Sequence, residues 1–248
     1  MSKKATEAEI EQKATLFRQE NGYGLTEPVH LKSLLLKKNV LSVFRPLGES
    51  LSGMAILING NRFMLVNSHQ RLGKQHFTIA HELYHLFVQE NFTSQRCKTG
   101  EFNRTDMEEY KADLFAAYFL LPAEGVKKLI PPDELKSKAE VSIQTILKIE
   151  QYFMVSHQAT LYRLKSMGYI DSVLYNKYSE GIISLARAYG YPTTLYSLAP
   201  EQQPIGDYGV LAKESWTSGA ISESHYYELM GAIGVELPGT DYGTDNGF

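Results

Sequence analysis

Residues 74–90 read KQHFTIAHELYHLFVQE. Apolar side chains recur on most sides of this run at helical spacing, which predicts a buried helix. Inside it stands His81-Glu82-Leu83-Tyr84-His85. Residues four apart share one helix face, so His81 and His85 can aim ring nitrogens at one Zn²⁺ ion. Glu82 flanks that face and is placed to serve as general base on water that the metal activates. Two imidazoles and a carboxylate are costly in apolar surroundings without partners, and a metal removes that cost.

A catalytic zinc site commonly takes three protein ligands, so a third must come from another element. A second helix is expected over Thr105–Leu121, with Thr105 as N-cap and Asp106, Glu108 and Glu109 near its positive end. Pro122 ends it. Glu108 and Glu109 are the nearest candidates. The face that runs from Glu109 carries Ala112, Asp113 and Ala116. The two alanines permit close packing on the histidine helix, and Asp113 can accept the second N–H of a ligand histidine. The face from Glu108 carries Lys111, Ala112 and Phe115, with no such carboxylate. The expected site is therefore His81, His85 and Glu109 on one Zn²⁺ per chain, Glu82 as base and Asp113 supporting a ligand. H-E-x-x-H followed by E-x-x-x-D on a second helix is a gluzincin arrangement.

Outward from this pair, residues 6–20 carry Ala8, Ile10, Ala14, Leu16 and Phe17 at helical spacing. Pro28 opens a short helix, Val29–Lys37. Val40–Phe44, Met54–Ile58 and Arg62–Val66 read as strands, the last two joined by the hairpin turn Asn59-Gly60. A small antiparallel sheet is expected, with Arg62–Val66 as the edge that holds an extended substrate. Beyond the break at Pro131-Pro132, helices Val141–Phe153 and His157–Met167 are joined by Met154-Val155-Ser156, with Ser156 as cap and Gly168 ending the second helix. Short helices follow near Gly209–Glu214 and Ser222–Ile233, and residues 237–248 read as a flexible tail. The fold class is α+β: a metallopeptidase domain over 1–130, a helix-turn-helix-like region over 131–170, and a mostly helical extension over 171–248.

The 248 residues are 43% hydrophobic and 21% charged, which excludes a disordered chain or a collagen. The single cysteine, Cys97, excludes an intrachain disulfide and suggests a reducing, cytoplasmic setting. No run reaches the ~20 apolar residues of a membrane span, and the charged N-terminus is unlike a signal peptide. The net charge of −3 hides a skew. Residues 201–248 hold eight acids and one base, so residues 1–200 carry 24 bases and 20 acids, or +4. Ten of the sixteen tyrosines lie between Tyr169 and Tyr242.

The segment QHFTIAHELYHL resembles the rFTiAHElGHl signature of the ImmA/IrrE family of bacterial metallopeptidases. EYKADLFAAYFLLP, starting at Glu109, is similar to that family's E-x-x-A-N-x-F-A-A-x-L-L-M-P. LSGMAILINGNRFMLVN resembles its upstream hairpin, and VSHQATLYRLKSMGYI its downstream V-S-x-x-A-x-x-x-R-L-x-x-x-G, so the resemblance spans residues 8–170. By position it implies His81, His85 and Glu109 as zinc ligands and Glu82 as catalytic base. Tyr84 stands where glycine is usual, and its bulk is expected to narrow the cleft. Asp113 stands where asparagine is usual and keeps an acceptor. The resemblance further implies a cytoplasmic regulatory protease whose substrate is an XRE-type helix-turn-helix repressor of a phage, mobile element or stress response. Because the first 70 residues already match catalytic-domain sequence, that repressor is expected to be a separate protein.

The rival expectation is a zinc-containing antirepressor or DNA-binding regulator that does not cleave, using Arg163, Lys165 and His157 of the second paired helix on phosphates. DNA contact is the weaker expectation, and no membrane contact is expected. A purely structural zinc module has no use for Glu82. Cys97, in the polar stretch TSQRCKTG, reads as a loop thiol. Trp216 and the late tyrosines read as a satellite core. His157 and Arg163 both stay open as stabilisers of an oxyanion.

Overall fold

The computed structural model describes residues 3–136, 140–199 and 204–235. The expected tail, residues 237–248, lies outside them. Helix α1 (Lys3–Glu20) buries Ile10, Ala14 and Phe17 on one face. Helix α2 (Leu31–Lys37) begins three residues after Pro28 rather than at Val29, with His30 as its N-cap. Strands β1 (Val40–Arg45), β2 (Gly53–Ile58) and β3 (Asn61–Asn67) precede α3 (Leu72–Phe87). Strand β4 (Ser94–Cys97) leads to α4 (Met107–Leu120). Then follow α5 (Ala123–Leu129), α6 (Pro132–Lys136), α7 (Ile143–Phe153), α8 (His157–Ser166), α9 (Ser172–Tyr178), α10 (Ile182–Ala188), α11 (Tyr208–Thr217) and α12 (Glu223–Gly231). The architecture is α+β, as the pattern predicts.

The sheet differs from the expectation. Its strand order is β1-β3-β2-β4, and β1 runs parallel to β3. The hairpin itself forms as expected, with positive φ at Asn59 (51°) and Gly60 (80°). The mixed topology comes from the loop between β1 and β2. Asn67 anchors it, its side chain accepting from Leu47 N–H (3.1 Å) and donating to Leu51 O (2.8 Å). The loop carries β2 past the neighbouring place, so the hairpin's second strand docks on β1. Residues Arg62–Val66 are therefore central, not an edge. The outer edge of β1 is covered where Ser42 and Ile205 exchange backbone hydrogen bonds (2.8 and 2.9 Å). Among the described residues, β4 pairs only with β2, so its outer edge is the open one.

Helix α3 lies between the sheet and α4, and α4 lies between α3 and α1, which is why both are apolar on most sides. The Phe17 ring meets Phe115 and Phe119 at 5.6 and 5.5 Å between centroids. Beside it, fully buried Arg18 donates to the carbonyls of Gly24, Glu27 and Phe119, tying the end of α1 to that of α4. Burial pulls its pKa down to about 10, so it stays charged. One hydrophobic core includes residues from Ile10 to Ile205, and a small second cluster sits between α11 and α12. In the second, Trp216 stacks on Tyr226 at 4.8 Å, the satellite packing expected of it.

Helices α7 and α8 form as a pair, α8 capped by Ser156 and ended by Gly168 at φ 75°. Two of the three basic residues needed for reading DNA are turned inward. Arg163 donates to Leu121 O (3.1 Å), pairs with Glu11 and lies 4.3 Å over the Tyr118 ring. His157 sits between Glu150 Oε1 (2.5 Å) and Tyr178 O (2.6 Å), while Tyr196 donates to the other Glu150 oxygen (2.8 Å). Both side chains are thus held by partners within the fold.

Burial works against the His157 charge, but the Glu150 carboxylate outweighs it and the pKa is raised. Protonation thus favours the fold: the contribution is complete below the unfolded value of about 6.5 and is lost as pH rises through the folded one. The melting temperature should fall as pH climbs from near-neutral into the alkaline range, and His157→Gln should flatten that slope. An identical slope in the variant would remove His157 as the cause.

Candidate metal centre

Helix α3 brings His81, Glu82 and His85 to one buried place, each 0% exposed. Helix α4 supplies the facing group. Its cap is Asp106 rather than Thr105, the carboxylate accepting from the N–H groups of Glu108 (3.0 Å) and Glu109 (3.2 Å). A carboxylate answers the helix's positive end better than a hydroxyl, and Thr105 is held instead in a turn by Asn103. Glu109 then reaches both histidines: His81 Nε2 lies 3.3 Å from its Oε2 and His85 Nε2 lies 3.2 Å from its Oε1. The two Nε2 atoms are 3.2 Å apart. Bonds of about 2.0–2.1 Å at tetrahedral angles place ligand atoms about 3.3–3.4 Å apart, so these spacings suit one small cation.

Glu108 turns elsewhere. It accepts from Tyr84 Oη (2.9 Å) and pairs with Lys111 (2.7 Å). Tyr84 does not narrow a cleft, contrary to expectation. Its ring is 2% exposed and packs against Phe115 in the core, with centroids 5.7 Å apart. Ala112 and Ala116 are fully buried, the small residues that let α4 approach α3.

The remaining ring nitrogens of the histidines have acceptors. His81 Nδ1 meets Asp113 Oδ1 at 2.9 Å, and Asp113 also accepts from Gly100 N–H (2.6 Å) and Phe102 N–H (2.7 Å). His85 Nδ1 meets Gln89 Oε1, one helical turn on. The spacing from 85 to 89 was the available sign of Gln89's place, and sequence reasoning passed over it. Burial opposes ionisation of Glu109, but the two imidazoles outweigh it and hold its carboxyl well below the usual range. Burial likewise opposes charge on His81, yet Asp113 and Glu109 prevail and lift its pKa to about 10.

Glu82 stands apart from this balance. Burial pushes its pKa up to about 7, against the pull of His81 and His85. Its Oε1 is buried with no hydrogen-bond partner. A buried carboxylate oxygen without a partner is expensive, and beside two imidazoles and a second carboxylate it fits a site completed by a cation and water. Gly53 of β2 makes the room: a Cβ there would lie 2.8 Å from Glu82 Oε1 and 2.6 Å from Thr78 Cγ2. Gly53→Val should therefore force α3 off the sheet and destabilise the chain by about 1–3 kcal/mol, the usual range for overpacking. A urea midpoint equal to wild type would show that the gap is not needed.

Cys97 is not a loop thiol. It lies on β4, 1% exposed, with Sγ 3.4 Å from Glu109 Oε1 and 3.6 Å from Glu82 Oε2. Burial and these two acids push its pKa up. Its Sγ, one donor atom from each of His81 and His85, and a Glu109 oxygen all lie within 4.8 Å of one another.

Among the described residues no helix is long and apolar enough to cross a membrane. No curated protein matches the chain. A transcriptional regulator of Mycobacterium tuberculosis is similar in structure at 15% identity and a TM-score of 0.43, over 64% of this chain and 46% of that one. This chain thus spans less than half of that protein's length, and a likeness so distant does not bear on function. The model of the IrrE N-terminal-like domain, Peptidase M78, matches residues 35–165. That interval is more than half of the chain and holds β2 to β4, α3 and α4, and on this match the chain belongs to the Peptidase M78 family.

Proposed function

We propose that the chain is a zinc-dependent endopeptidase, a cytoplasmic regulatory protease that cuts a separately encoded XRE-type helix-turn-helix repressor. The observation that carries the reading is the convergence of His81, His85 and Glu109 at 3.2–3.3 Å beside the unpartnered Oε1 of Glu82. His81, His85 and Glu109 hold one zinc ion, and Asp113 fixes the tautomer and tilt of His81. Bound there, the metal supplies Lewis-acid polarisation of a scissile carbonyl and of water. Glu82 takes the proton of the attacking water and returns it to the leaving amine. The open edge of β4, next to the site, receives the substrate as an added strand through main-chain hydrogen bonds. With Arg163 and His157 engaged inside the fold, a DNA-reading role has little left on α8 beyond Lys165. The test is incubation of the zinc-loaded chain with helix-turn-helix repressors encoded beside it, reading fragments by mass spectrometry. One defined cut, lost on chelation and regained with zinc, is expected. Intact repressors throughout, or cutting that survives chelation, would remove the reading.

A further inference from the structure

The geometry points to Cys97 as a fourth metal ligand that closes the centre at rest. This rests on the reading of His81, His85 and Glu109 as the other three. The buried sulfur belongs to one set with their donor atoms, all within 4.8 Å of one another. Its 3.4 Å separation from Glu109 Oε1 is near the ~3.5 Å that metal–sulfur and metal–oxygen bonds of about 2.3 and 2.1 Å produce at a tetrahedral angle. Glu82, fully buried beside this set, accepts from the same sulfur at Oε2 (3.6 Å) and leaves Oε1 unpartnered, so the place holds more acceptor atoms than protein donors, as a cation site does. On ligation the S–H bond breaks, the metal–sulfur bond forms, and the proton passes to the buffer.

Three protein ligands leave a position open for chemistry, whereas four protein ligands make a closed site. With Cys97 in the fourth place a scissile carbonyl has no position to enter, and Glu82 has no water to deprotonate. Work at the site then requires the sulfur to step off. Strand β4 carries Cys97, is four residues long and pairs only with β2 among the described strands. It is also the strand whose edge receives the peptide in the proposed reaction. Docking of substrate therefore acts directly on the element that bears the closing ligand.

Cobalt replaces zinc as a coloured probe. The full chain is stripped of metal, loaded with Co²⁺ alone, and its absorption recorded. A sulfur-to-cobalt charge-transfer band in the near ultraviolet is expected. The chain has a single cysteine, so that band has one possible source. In Cys97→Ser the band should vanish while Co²⁺ still binds, with affinity lower by at least the ~10-fold that marks loss of even a supporting partner. Azide, a small anionic metal ligand, should perturb the cobalt spectrum of Cys97→Ala and leave wild type unchanged. Wild-type chain that binds Co²⁺ with no sulfur band overturns the inference and leaves the proposed function standing, a result that needs no variant to fold. A sulfur band together with an azide shift in wild type overturns the closed centre. Failure of wild type to bind Co²⁺ at all overturns both this inference and the ligand set beneath it.

Discussion

Glu82→Gln should leave the protein folded and zinc-loaded and lower repressor cleavage by about 10²–10⁴-fold, the usual worth of a positioned general base. That corresponds to about 3–5 kcal/mol of barrier. The change is nearly isosteric, so packing against Gly53 and Thr78 is kept. What is lost is the ability to take up a proton. Glu82 is suited to that task because burial lifts its pKa to about 7, where a carboxylate can accept a proton from water and give it up again near neutral pH. Glu109 cannot substitute: the two imidazoles hold its carboxyl far below the usual range, and its oxygens face His81 and His85. The variant is compared with wild type in initial cleavage rate, zinc content and melting temperature. Equal rates would make Glu82 a packing residue. A rate loss accompanied by loss of zinc would make it part of the binding shell instead.

Asp113→Ala should weaken zinc binding by about 10–100-fold, as loss of the partner of a ligand histidine does. The same carboxylate accepts from the N–H groups of Gly100 and Phe102, so it fixes the end of the β4–α4 connection as well as the ring of His81. Each buried donor left without an acceptor costs about 1–3 kcal/mol, so the variant should also be less stable by a few kcal/mol. Asp113→Asn keeps an acceptor for His81, and by resemblance it restores the residue usual at this position, so its affinity should stay close to wild type. Competition against a chromophoric chelator reads the affinities. An Asp113→Ala chain that binds zinc as tightly as wild type would detach Asp113 from the centre.

The grouping of the candidate site's residues was legible because a helix fixes its own geometry. Once residues 74–90 are helical, His81 and His85 must share a face, and the turn from Glu109 to Asp113 follows in the same way. The sheet offered no such certainty. Alternation and Asn59-Gly60 give the hairpin, but which of its strands meets β1 depends on the Asn67-anchored loop, a matter of tertiary contact. Strand β4 was invisible because SQRC is short and polar and its partner, β2, lies some forty residues earlier. With β4 missed, Cys97 passed for a loop thiol, and with β1 expected beside β2 rather than β3, Arg62–Val66 passed for an edge. The inward fate of Arg163 was equally hidden, since its partner Glu11 is 152 residues away in the chain. The region after residue 170 showed its acidity, its tyrosines, its two late helices and its satellite core, but not how it joins the rest. Two of its ties to the rest, Ile205 over the β1 edge and Tyr196 on Glu150, are single contacts with no period to detect.

The central claim is that His81, His85 and Glu109 together hold a metal. Zinc content after dialysis against a weak chelator tests it most directly, measured on wild type and His85→Ala in parallel. Wild type should retain about one zinc ion per chain and His85→Ala very little, since a catalytic zinc depends on its few protein ligands. A wild-type chain free of zinc, or a His85→Ala chain with its full complement, would contradict the account.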